Sequence, residues 1–116
     1  MKHQLTATTL TLHIEGDILS TTISPLRAES LRLLESTAIH SGTWNVMELV
    51  LTDARMVDSA GLNFLVSLIK AAKNRGAAVR AVVSSRTVHR TFVFTRLDKQ
   101  VELVLREEGA KATSAA

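Results

Sequence analysis

The stretch RMVDSAGLNFLVSLIKAAKNRG, Arg55–Gly76, decides how the rest of the chain reads. An apolar segment ends at Val57, and the periodicity then becomes helical, with Leu62, Leu65, Val66 and Ile69 recurring as one stripe. Asp58 and Ser59 stand where free N–H groups of a first turn need an acceptor, and Asp58 is the preferred cap. Asn74-Arg75-Gly76 ends the helix. A second apolar row, Ala60, Phe64, Leu68 and Ala71, lies on another side. It reads either as a row covered by a neighbouring helix or as a contact surface for a partner.

Working outward, Leu10, Leu12 and Ile14 alternate with Thr9, Thr11, His13 and Glu15, the pattern of a half-buried strand. Leu5-Thr6-Ala7 before it reads as a short partner strand, and Gly16-Asp17 as a turn or bulge. Ser24 and Pro25 suit the cap and first position of a helix that runs to Ser41-Gly42, with Leu31, Leu34 and Ala38 inward and Leu26 and Leu33 nearby. Trp44 covers the edge of the core. The run around Leu49-Val50-Leu51 reads as a strand buried on both faces. Beyond Gly76 come a β-branched strand from Ala77, a helix with Val88, Phe92 and Val93 inward, and a last strand around Lys99–Val104. The order β-β-α-β-α-β-α-β implies crossover connections, hence an α/β fold with a mixed or parallel sheet. Residues 1–116 form one domain, with 107–116 as a tail or short final helix.

Composition narrows the functional classes. Of 116 residues, 46% are apolar and 22% charged, as in an ordinary globular domain. A net charge of +3, without a dense Lys/Arg run and with 3% aromatic residues, argues against nucleic acid as a partner. The absence of cysteine removes disulfides, thiolate catalysis and most structural zinc sites. No apolar run follows Lys2 as in a signal peptide, and none is long enough for membrane insertion. A cytoplasmic location without cofactor or metal is the expectation.

Three roles compete for Ser59. As a nucleophile it needs a base, yet the flanking residues Asp58 and Ala60 lack the strained glycine elbow. Among His3, His13, His40 and His89 only His89 is a candidate base, and no carboxylate pairs with it in sequence. An enzyme is therefore disfavoured. A cap explains Asp58 without invoking function. As a phosphoacceptor, Ser59 begins a helix whose free N–H groups and dipole tolerate an anion, while the added charge repels or spoils a docking partner.

The motif Asp58-Ser59-Ala60-Gly61-Leu62 resembles the signature of the STAS domain (sulphate transporter and anti-sigma factor antagonist), most like the bacterial anti-sigma factor antagonists. Two further stretches are similar to the family: Val82–Leu103, with its ending "LDKQVEL", and the early "LHIEGDI". The resemblance spans about residues 9–105. It implies a small mixed sheet of four to five strands, with three to four helices packed mainly on one side. It also implies that Ser59 is phosphorylated by a partner anti-sigma factor, a serine kinase that supplies ATP and magnesium, and that a phosphatase removes the phosphate. The unmodified protein then binds the anti-sigma factor and a sigma factor is released, so that Asp58, Ser59, Ala60, Gly61, Leu62, Phe64 and Leu68 form the expected partner-binding set. Leu19 and Val50 depart from the pattern, standing where the family often carries acidic or amide residues. They favour an alternative in which the chain is a constitutive subunit of a lipid-transport ABC complex or of a stress-signalling assembly.

Overall fold

The computed structural model describes residues 1–106; the expected tail or helix at 107–116 lies outside them. Five strands form one sheet in the order β1 (Lys2–Leu5), β2 (Thr9–His13), β3 (Val46–Leu51), β4 (Ala78–Val83) and β5 (Glu102–Leu105). β1 pairs antiparallel with β2 through a tight turn, and every later pair is parallel. The parallel pairs require crossovers, which the helices supply: α1 (Ile23–Glu35) and α2 (Thr37–His40) between β2 and β3, α3 (Ser59–Asn74) between β3 and β4, and α4 (Arg86–Phe94) with a 3₁₀ turn (Leu97–Lys99) between β4 and β5.

The register explains why the helices lie on one face. Leu10, Met47 and Val79 align across the strands, as do Leu12, Leu49, Ala81 and Leu103 one row on. These residues of β2, β3 and β4 are buried and belong to the same core as Phe64, Leu65, Ile69, Val88 and Phe92 of the helices. On the opposite face Thr11, Glu48, Arg80 and Glu102 form a polar row. Ion pairing between Arg80 and Glu48, 3.7 Å apart, joins two of its members. β3 is thus buried on one face and half-exposed on the other, a correction to the expected two-sided burial.

Other elements shift for identifiable reasons. The partner strand lies at Lys2–Leu5, since Thr6 Oγ1 accepts from the Thr8 and Thr9 N–H groups and closes the turn there. α1 starts at Ile23, so Ser24 and Pro25 sit inside its first turn. It stops at Ser36, whose N–H and hydroxyl both bond the Leu33 carbonyl, and α2 follows as one further turn. Leu31 is 58% exposed, a correction to its expected inward place, and Ile23, Leu26 and Ser30 face inward. Val93 is exposed. Trp44 is buried, and its Nε1 donates to the Ile39 carbonyl. The Arg75 guanidinium lies 3.8 Å over the Trp44 ring and donates to the carbonyls of Ile39, His40, Gly42 and Trp44. One side chain at the end of α3 thereby satisfies the carbonyls that close α2 and lead into β3.

Candidate functional site

The site is built where two loops meet at the C-terminal ends of the parallel strands. Asp58 has an extended backbone and caps α3, its Oδ1 accepting from the Gly61 N–H at 2.8 Å. Its Oδ2 accepts from the Ser20 N–H, also at 2.8 Å, thirty-eight residues away. Asp17 returns the strap: its Oδ1 accepts from the Arg55 N–H at 2.8 Å and the Met56 N–H at 3.2 Å. Between the two carboxylates the Ile18 N–H donates to the Met56 carbonyl, and the Asp58 N–H to the Ile18 carbonyl, forming a short parallel bridge. The two loops therefore behave as one unit. Hydrogen bonds from the Ser20 N–H first, and then from Gly61, hold the Asp58 carboxyl below the usual carboxylate range.

Gly61 is required by close approach. A Cβ built on it would lie 1.9 Å from the Ile18 carbonyl oxygen. The glycine of the motif thus lets the first turn of α3 press against the loop that Asp58 ties down.

Ser59 is the first residue of α3 and is exposed. Among the described residues its hydroxyl has no hydrogen-bonded base. His89 lines a groove with Arg86, Arg90, Val93 and Leu105 on α4 and β5. His13 lies 3.9 Å from Asp53, and His40 borders a cleft of about 500 Å³ with Trp44 and Arg75. Neither the cleft nor the groove is lined by Ser59. Among the described residues no group of three His, Asp or Glu side chains could hold a metal ion, and no helix is long and apolar enough to cross a membrane.

The expected contact row does not survive folding. Phe64 is 1% exposed and Leu68 2%, so both are core residues and neither can meet a partner. The buried line of α3 runs Gly61, Phe64, Leu65, Leu68, Ile69, Ala72, between the two stripes read from sequence. Its flanks, Ala60 and Ala71 on one side and Leu62 and Val66 on the other, are half-buried. Asn63, one helical turn on from Ser59, is exposed, and on the preceding loop Met56 is 56% exposed. Asp17, Ser20 and Met56 were missed by sequence reasoning. For Asp17 the signal was the turn at Gly16-Asp17; for the other two there was none.

The family model for the STAS domain matches residues 2–110. The chain belongs to the STAS domain family. Among solved structures it is similar to a Thermotoga maritima protein classed provisionally as an anti-sigma factor antagonist, with a TM-score of 0.71 and 18% identity over 99% of this chain and 94% of that one. It is also similar to the anti-sigma factor antagonist SpoIIAA in its unphosphorylated form, with a TM-score of 0.67 and 18% identity over 99% and 96%. The phosphorylated form of the Bacillus cell fate determinant SpoIIAA gives 0.64 and 16% over 99% and 98%. No curated protein sequence matches. The five-stranded mixed sheet with four helices is the STAS fold of these proteins.

Proposed function

We propose that this STAS domain is an anti-sigma factor antagonist whose binding to an anti-sigma factor with serine kinase activity is switched off by phosphorylation of Ser59. The single observation that carries this reading is the placement of Ser59: an exposed hydroxyl at the first position of α3, with no base beside it, on a loop pair strapped by Asp17 and Asp58. A hydroxyl so placed is a substrate for another enzyme's active site. The platform stays rigid when phosphate is added, because Asp58 and Asp17 bond backbone N–H groups and not the Ser59 side chain. Phosphate brings about −1.5 to −2 charges next to the Asp58 carboxylate. Part of that charge is met by the positive end of α3. The remainder changes the surface presented by Ser59, Ala60, Leu62 and Met56 from nearly neutral to strongly anionic. The fold persists and the binding is lost. A phosphatase resets the switch by hydrolysis, and the ATP-dependent kinase step calls for a cytoplasmic location. The chain itself is not an enzyme in this reading and holds no cofactor.

Leu19 and Val50 bear on the same test. Neither brings a carboxylate to the loop pair, where Asp17 and Asp58 make the backbone contacts. The experiment is incubation of the protein with its cognate anti-sigma factor and ATP, mass mapping of the product, and affinity measurement for Ser59→Ala and Ser59→Glu. Phosphate on Ser59, binding retained by Ser59→Ala and binding lost in Ser59→Glu are expected. An unmodified Ser59 together with full binding by Ser59→Glu refutes the switch and leaves the constitutive-subunit alternative, which recovery of transporter subunits in a pull-down would select.

A further inference from the structure

The two edges of the sheet differ in kind. β1 presents Lys-His-Gln-Leu, exposed throughout, with Lys2 placed as charged edge residues usually are. β5 presents Leu103, Val104 and Leu105, all half-buried, with neither lysine nor proline between Glu102 and Arg106. Among the described residues no strand covers it. Edge strands of this composition invite pairing with another strand.

The backbone fixes which groups of β5 are available. The Arg106 N–H bonds the Val83 carbonyl of β4. Since successive residues point their N–H and C=O groups to opposite sides, Glu102 and Val104 also bond toward β4, and Leu103 and Leu105 present theirs outward. An antiparallel partner strand can pair only through those two residues. The segment Glu-Leu-Val-Leu-Arg, residues 102–106, matches itself in this arrangement. When Leu103 is set against Leu105 of a second copy, Val104 lies against Val104 and Glu102 against Arg106, twice by symmetry. The charged and valine pairs fall at the non-hydrogen-bonded positions, where side chains approach most closely.

We propose that the β5 edges of two copies pair antiparallel about Val104, giving a two-fold homodimer with one continuous sheet. Both faces of the sheet continue across the seam. On the face opposite the helices the row Glu48, Arg80, Glu102 alternates in charge and is extended by Arg106 of the second copy. The row Val50, Val82, Val104 meets its own image. On the helix face Leu105, which borders the groove with Val93, meets Leu103 of the second copy. Ser59 follows the central strand β3 and is not part of the seam, so dimerisation and phosphorylation are separable.

The test is a charge-swap cycle on the full-length chain, read by sedimentation equilibrium with circular dichroism as the folding control. Opposite-charge cross-strand pairs stabilise and like-charge pairs destabilise by comparable amounts, and two occur per dimer. E102R alone and R106E alone should each weaken dimerisation by about tenfold or more, and the double variant E102R/R106E should restore it. Hydrogen exchange should show the Leu103 and Leu105 amides gaining protection as chain concentration rises, in wild type and S59A alike. A chain that stays monomeric at millimolar concentration, a dimer indifferent to both single reversals, or a double variant no better than the singles overturns the proposal.

Discussion

Replacing Gly61 with alanine tests whether the first turn of α3 is fitted to the loop that carries Ile18. The added Cβ would lie 1.9 Å from the Ile18 oxygen, 2.7 Å from its carbonyl carbon and 3.0 Å from its Cγ2. Helix and loop must separate by about 1 Å before the first of these contacts becomes tolerable. Ile18 has little freedom to yield. Its side chain is fully buried, its N–H is bonded to Met56 at 3.1 Å, and its carbonyl accepts from Asp58 at 3.2 Å. Two effects then oppose each other. Alanine is a better helix residue than glycine by up to about 1 kcal/mol. Overpacking costs about 1–3 kcal/mol, and loss of the Asp58–Ile18 hydrogen bond adds about 1 kcal/mol. The net expectation is destabilisation by about 2 kcal/mol, a fall of roughly 8 °C in Tm for a domain of this size. Trp44 is the single tryptophan and is buried, so its fluorescence follows urea unfolding directly. With a slope of about 1–2 kcal/mol per molar urea, the midpoint should drop by about 1–2 M. A midpoint unchanged or raised would mean that helix propensity wins and that the close approach at Ile18 is not a constraint.

Three further outcomes follow from particular contacts. The Asp58 carboxyl is held low by the Ser20 and Gly61 N–H groups, so its contribution to stability is present above the ordinary aspartate value and is lost as pH falls through the lowered one; Asp58→Asn should flatten the decline of Tm below about pH 4, and a parallel decline in both proteins would exclude the strap as its source. Arg75→Ala removes a stacked guanidinium bonded to four carbonyls and should cost about 2 kcal/mol in urea unfolding, with Arg75→Lys recovering only a small part because an ammonium cannot span that fork; full recovery by lysine would show that charge alone matters. Leu68→Ala should lower stability by about 2–4 kcal/mol while leaving the folded protein's affinity for its partner unchanged, whereas Met56→Ala should lower affinity with stability nearly unaltered; the reverse pattern would return Leu68 to the binding surface.

The chain's own sequence determined whatever depends on near neighbours. Strand alternation at Leu10–Ile14, helical recurrence from Leu62 onward and the β-branched run of β4 report which element forms, because each periodicity reflects one element's own geometry. The Asp58 cap was legible for the same reason: its acceptor and the Gly61 donor are three residues apart. So was the position of Ser59 at the helix start. Tertiary structure decided everything that depends on residues distant in sequence. Asp58 binds Ser20, and Asp17 binds Arg55 and Met56, across nearly forty residues, so neither strap leaves a local pattern. Of the two apolar rows of α3, the residue pattern marked Leu62, Leu65, Val66 and Ile69 as the core stripe and left the other open between burial and partner contact. Only the docking of the helix placed its buried line between them, taking Phe64 and Leu68 into the core. The motif glycine's necessity lies in the Ile18 carbonyl, which reaches Gly61 only when the two loops are bridged. Local physics names the element and its ends, and packing decides which of its faces remains for a partner.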